Sequence, residues 1–131
     1  MTLCLLLLIG GCSKKPVTLT GKLVLPPNIK LHDTDNVQIN FAPVEAGEPN
    51  AGASFTKSDM SFVCKNITPG KYKVSVILSI YKGTPDSEKR EYEFKMFNKT
   101  HSQDMNLNFE VTSDAEQSVT IDLVNGKVKK N

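Results

Sequence analysis

The feature that most constrains the fold is a regular alternation of apolar and polar residues in short runs along most of the chain. The clearest run has an apolar residue at every second position: Tyr72, Val74, Val76 and Leu78. Successive side chains of a β-strand point to opposite faces, so this spacing predicts a strand with one face on a core. Similar runs predict strands over 17–25, 37–42, 51–56, 61–65, 71–79, 107–111 and 119–123. Turn residues separate these runs, and the sequence therefore predicts an all-β, seven-stranded antiparallel β-sandwich.

The stretch from Tyr81 to Asn106 is less regular than the rest. Within it Tyr92, Phe94 and Met96 are spaced by two, which favours an edge strand or an irregular loop. A helix over 88–97 is the alternative, because Glu, Lys and Met are good helix formers.

The first twelve residues differ in character from everything that follows. An uncharged apolar run over 3–9 ends in Gly10, Gly11 and Cys12. The run is too short to span a bilayer, which takes roughly 20 apolar residues, but it fits the apolar core of a secretory signal, roughly 7–15 residues. Its ending resembles the lipobox of bacterial lipoproteins, in which the cysteine thiol receives a diacylglycerol before the chain is cleaved in front of it.

This resemblance implies a signal peptide over 1–11 and a lipidated cysteine with a short linker over 12–16. Cys12 is then the lipidation site, and a bacterial membrane facing the periplasm or exterior is a partner. Ser13 resembles the residues that release lipoproteins to an outer membrane. Because Met1-Thr2 carries no positive charge, either the true start lies upstream or this signal is atypical. A buried N-terminal strand or short helix is the alternative.

The predicted strands carry spaced motifs that are similar to those of one known family. The motifs are Leu19-x-Gly21-x-Leu23, Val37-x-Ile39-x-Phe41-x-Pro43, Pro69-Gly70-x-Tyr72-x-Val74-x-Val76, Leu107-x-Phe109-x-Val111 and Val119-x-Ile121-x-Leu123. Over 17–124 the chain resembles the carboxypeptidase regulatory-like, or transthyretin-like, domain, which implies a Greek-key β-sandwich used as an accessory or binding module. Met60 stands where the family usually has Gly, so that hairpin requires a different turn. Residues 125–131 are predicted to be a frayed polar tail.

The sequence contains three cysteines, of which only Cys64 would remain free in the lipidated mature chain. Cys64 lies two residues after Phe62 and therefore on the same strand face. Free cysteine is among the most buried residue types, so we predict a core thiol. An intermolecular or redox role is the alternative.

Residues that could carry catalysis or hold a metal are few. The sequence has no G-x-S-x-G, H-E-x-x-H, P-loop or C-x-x-C motif. His32 and His101 are predicted as solvated loop residues. The stretch 33–36 reads as an Asx-rich turn, because Gln38 and Val44 stand where a calcium loop starting there needs Gly and Glu. The sequence therefore predicts a protein that is not an enzyme and has no cofactor or metal.

The charge balance and the aromatic residues indicate which class of partner the protein binds. Lys plus Arg number 16 and Asp plus Glu 14, a near-balance that disfavours nucleic acid as a partner. Loops on a rigid scaffold commonly carry binding, so Tyr81, Tyr92 and Phe97 are predicted to form an exposed surface for an envelope protein or glycan. A purely structural envelope lipoprotein with no discrete ligand is the alternative.

The anchor prediction is tested by metabolic labelling with a fatty acid. The full-length protein should incorporate the label, and Cys12→Ser should abolish incorporation because it removes the acceptor thiol. Cys64→Ser is the control and should keep the label. Retention of the label by Cys12→Ser would overturn the assignment of Cys12.

Overall fold

The protein folds as one curved sheet with a helical insertion, and the computed structural model describes residues 15–83, 85–104 and 106–131. In chain order its elements are β1 (Val17–Val24), β2 (Asn36–Pro43), β3 (Ala51–Thr56), β4 (Ser61–Ile67), β5 (Gly70–Ser79), α1 (Ser87–Asn98), a π-helical segment (Lys99–Asp104), β6 (Leu107–Val111), β7 (Glu116–Asp122) and β8 (Lys127–Lys130). The strands lie in the order β6-β5-β2-β3-β4-β1-β7-β8. The outer strands β6 and β8 contact each other, so the sheet curls almost into a barrel. The all-β prediction is confirmed.

The sheet differs from the predicted seven antiparallel strands in two respects. First, β1 and β7 run parallel, from Thr18 opposite Glu116 to Val24 opposite Asp122. Second, the described residues form eight strands, because the tail that was predicted to fray contains β8 and pairs with β7. The sheet is therefore mixed, and its other neighbouring strands pair in the antiparallel direction.

The core fills the concave side of this sheet with the alternating apolar residues of its strands. The Phe41 ring lies 6.3 Å from both the Phe62 and the Tyr72 rings, measured between centroids. The Tyr72 hydroxyl donates a hydrogen bond of 2.7 Å to the Thr68 carbonyl, which satisfies its polar end. Cys64 is fully buried and free, so the predicted core thiol is confirmed. Burial raises the pKa of the Cys64 thiol and so disfavours the reactive thiolate.

The helix α1 stands where an edge strand or loop was favoured, so that prediction is wrong and the helical alternative is right. The helix buries Arg90, Phe94 and Phe97, which are spaced by four and three residues as on one helix face. Tyr92 and Met96, which share a period of two with Phe94, are exposed instead. The inward face of α1 is therefore part apolar and part charged.

The hairpin between β3 and β4 forms with the predicted spacing, since Thr56 pairs with Ser61. Met60 adopts a φ of 58°, a left-handed conformation that is uncommon for residues other than glycine. The Asp59 carboxylate stabilises this turn by accepting bonds from the Ser61 amide (3.1 Å) and hydroxyl (2.6 Å). The turn therefore forms without the glycine that the family pattern has there.

Gly21 provides a test of the packing between β1 and its neighbours. A Cβ added there would lie 2.4 Å from the Val119 carbonyl oxygen and 2.5 Å from Phe62 Cζ. We expect Gly21→Ala to lower the free energy of unfolding by about 3 kcal/mol, because neither neighbour has room to move. The control Gly52→Ala meets its nearest atom at 3.8 Å and should change that free energy by less than about 1 kcal/mol. Urea unfolding of both variants measures the difference, and equal effects would contradict this packing.

Candidate functional site

The sheet has two ends with different surroundings. At one end β1 begins at Val17, beside the end of β4 and the start of β7; we call this the β1-start end. At the other, β5 ends at Ser79 opposite Asn36 of β2, and α1 packs against β5; we call this the helix end. The intervening ladders are all antiparallel, so β5 runs in the same direction as β1, and the start of β1 and the end of β5 lie at opposite ends of the sheet.

A buried ion pair fixes α1 at the helix end. The Arg90 guanidinium donates a hydrogen bond to the carboxylate of Asp35, which lies in the loop before β2, and both side chains are buried. Arg90 Nη2 also donates to the Lys30 carbonyl oxygen at 3.4 Å. The guanidinium carbon lies 5.0 Å from the centroid of the Phe94 ring, a cation–π distance. Arg90 therefore joins the helix to two points of the loop between β1 and β2, Lys30 and Asp35.

The hydrogen bonds around Asp35 show that its carboxylate has a structural role. The His32 amide donates to Asp35 Oδ2 at 2.6 Å, and the Lys57 ammonium donates to the Asp35 carbonyl oxygen at 2.6 Å. Burial opposes ionisation of Asp35, but the bonds from Arg90 and His32 outweigh it and hold the pKa below the ordinary value of 3.8. The resulting stabilisation is present above pH 3.8 and is lost as the pH falls through the lower pKa of the folded state.

Asn98, the last residue of α1, holds the helix to β5. Its Oδ1 accepts a bond from the Leu78 amide and its Nδ2 donates to the Leu78 carbonyl, both at 2.8 Å. The pairing of β6 with β5 stops at Val74, so Leu78 lies beyond the end of that ladder. The amide of Asn98 therefore takes the place of a strand neighbour for Leu78.

An open groove of about 690 Å³ runs between α1 and the end of β5. Part of its apolar surface comes from Ile80 and Met96, and its charged lining residues are Lys82, Glu91, Lys95 and Lys99. Lys82 and Glu91 face each other at 3.5 Å between Nζ and Oε1. The groove therefore combines an apolar surface with an excess of positive charge.

The aromatic surface predicted from the sequence is only partly exposed. Tyr81 and Tyr92 are 63% and 65% exposed, whereas Phe97 is 5% exposed. The Phe97 ring packs on the His101 ring with centroids 4.2 Å apart, so its predicted role in a partner surface is wrong. Met96, 44% exposed and four residues after Tyr92, joins the surface instead. In a strand, Tyr92, Phe94 and Met96 would share one face, so their spacing by two did not indicate that Met96 is exposed while Phe94 is buried.

The predicted loop histidines lie in different settings. His32 is exposed as expected, whereas His101 is buried in the π-helical segment. Burial lowers the pKa of the His101 imidazole below its ordinary value of 6.5. Asp33 is exposed, and the Asp35 carboxylate is held by Arg90. Within the described residues, no group of three or more His, Cys, Asp or Glu side chains is arranged to hold a metal ion.

Comparisons with protein-family models, curated proteins and solved structures find no match for this chain. Among the helices of the described residues, none has the length and apolar character needed to cross a membrane. Cys12, the predicted lipidation site, lies outside the described residues. The candidate site is therefore the helix end, with its two exposed tyrosines, Met96 and the groove.

The buried ion pair is tested by removing one partner. Arg90→Met should lower the free energy of unfolding by about 3–5 kcal/mol, because it leaves the Asp35 carboxylate buried without its cation. The matched control Lys82→Met breaks the exposed pair with Glu91 and should cost less than about 1 kcal/mol. Thermal unfolding followed by circular dichroism gives both values. Similar losses for the two variants would show that Asp35 does not depend on Arg90.

Proposed function

We propose that this protein is a lipid-anchored, non-enzymatic module of a bacterial cell envelope that presents the helix end of its sheet to a partner protein. The anchor is Cys12. The linker from Ser13 to Pro16 reaches at most about 13 Å when fully extended, so the domain sits close to the membrane. No reaction or cofactor is assigned, since the buried carboxylate of Asp35 is already engaged by Arg90.

The position of the linker gives this module an orientation. The linker joins the sheet at the start of β1, and α1 lies at the opposite end. An anchor at Cys12 therefore turns the helix end away from the membrane. A partner in the periplasm or outside the cell can then reach α1 without meeting the lipid surface.

The observation that carries the proposal is the exposure of Tyr81, Tyr92 and Met96 on a firmly held insertion. Tyrosine and methionine are enriched in protein–protein interfaces. Because Arg90 and Asn98 fix α1 by buried and half-buried hydrogen bonds, Tyr92 and Met96 on this helix are presented with little loss of backbone freedom on binding.

We also propose that the sheet is a variant of the Greek-key β-sandwich of carboxypeptidase regulatory-like domains. The motif residues Leu19, Phe41 and Val76 support this, since all three are fully buried in one core. The eighth strand and the parallel pairing of β1 with β7 are the points at which this chain departs from seven antiparallel strands.

A structural role without a discrete ligand is the second candidate. It is favoured by the bonds from Asn98 to Leu78, because they cover a part of β5 that β6 leaves unpaired. An uncovered strand edge promotes aggregation, and a helix that covers it needs no partner.

Site-specific photo-crosslinking in cells separates the two candidates. A benzophenone-bearing amino acid replaces Tyr92 in the full-length protein, and the matched control carries it at Lys65, which is exposed on β4. We expect a discrete crosslinked band from Tyr92 and none from Lys65, because only the helix end is in contact with the partner.

Two results would contradict the proposed function. Absence of a discrete band from both positions favours the structural role. A crosslinked band that glycosidase returns to the mobility of the uncrosslinked protein identifies a glycan rather than a protein as the partner.

A further inference from the structure

The groove beside α1 carries more positive than negative charge. Three lysines, Lys82, Lys95 and Lys99, and one glutamate, Glu91, line it. Lys82 is paired with Glu91, but neither Lys95 nor Lys99 has an ion-pair partner among the described residues. These two lysines are four residues apart and therefore lie on the same side of the helix. The groove thus presents two adjacent cations without an ion-pair partner in the described part of the chain, and Glu91 is the one acidic residue among its lining residues.

The same groove has an apolar surface between these charges. Ile80 is half-buried and Met96 is exposed, and both line it. Methionine is unbranched and flexible, so it adapts to differently shaped apolar side chains. Leu78 and Phe94 lie below them and are buried in the core. The groove therefore offers hydrophobic contact next to a pair of cations.

We propose that this groove binds an acidic segment of a partner protein, with carboxylates against Lys95 and Lys99 and one apolar side chain between Ile80 and Met96. This inference rests on the proposed function and specifies the partner's chemistry. Complementary charge would speed the encounter and select the partner, and the apolar contact would hold it.

The contacts of β5 restrict how such a segment binds. The amide and carbonyl of Leu78 are already bonded to Asn98, so the segment cannot extend the sheet through these groups. At Leu78, recognition then comes from side chains, which makes it sensitive to the sequence of the segment. A membrane is disfavoured as the occupant, because the helix end is turned away from the anchoring bilayer.

Peptide selection against the full-length protein in detergent micelles tests the inference. Displayed random dodecapeptides are selected on the protein, and we expect enrichment of Asp and Glu together with Leu, Ile, Phe or Tyr over the starting library. A selected peptide is then titrated by fluorescence anisotropy. Reversing both charges with Lys95→Glu and Lys99→Glu should raise its Kd about tenfold at 0.15 M salt.

The matched control reverses two exposed charges on the outer side of β5 with Lys71→Glu and Lys73→Glu. This variant has the same net charge as the helix variant, so it should change the Kd by less than about twofold. Raising the salt to about 1 M should weaken binding to the unaltered protein, because the Debye length falls to about 3 Å. Thermal unfolding checks that both double variants fold.

Four outcomes would overturn the inference. The first is that the selected peptides show no acidic enrichment, and the second is that the two double variants have equal effects on the Kd. The third is that the helix variant loses a self-associated dimer rather than peptide binding. The fourth is that the protein binds phosphatidylglycerol vesicles through these lysines but does not bind acidic peptides. If crosslinking at Tyr92 captures a protein while one of these outcomes is observed, the proposed function stands and only the acidic chemistry is wrong. Absence of crosslinking together with tight, lysine-dependent peptide binding supports the groove chemistry and contradicts the proposed function in cells.

Discussion

The ion pair between Asp35 and Arg90 joins two parts of the chain that the sheet does not connect. Removing both charges from water costs several kcal/mol per ion, and further hydrogen bonds offset part of that cost. The His32 amide donates to Asp35 Oδ2 and the Lys30 carbonyl accepts from Arg90, whereas Asp35 Oδ1 is buried with no hydrogen-bond partner among the described residues. Together with the Asn98 bonds to Leu78 and the burial of Phe94 and Phe97, this contact sets the position of α1 and so the groove beside it.

Seven of the eight strands of the described residues could be predicted from the sequence, whereas the helix was only the alternative to a strand or loop. In β5 every second residue is apolar and buried, so spacing alone identifies the strand. On α1 the inward positions are Arg90, Phe94 and Phe97, and a charged residue in the first of them hides the helical period. Arginine occupies that position because Asp35, distant in sequence, neutralises it, and no local pattern reveals such a partner.

The lack of a local sequence pattern also explains the other differences between the sequence predictions and the structure. The strand β8 has only one apolar residue, Val128, and is held mainly by hydrogen bonds to β7, which leave no mark in hydropathy. The exposure of Tyr81 and Tyr92 agrees with prediction, whereas Phe97 is buried beside His101. The groove requires residues from both β5 and α1 to come together, so only the tertiary structure reveals it.

Native-state hydrogen exchange tests the central claim, that α1 is firmly docked on the sheet and so forms a rigid platform. The amides of 91–98 should exchange with opening free energies close to those of β5, because the helix and the sheet share one core. Exchange of these amides at nearly the rate of an unfolded chain, while β5 stays protected, would show that α1 is detached. That result would contradict the account of the helix end as a preformed surface.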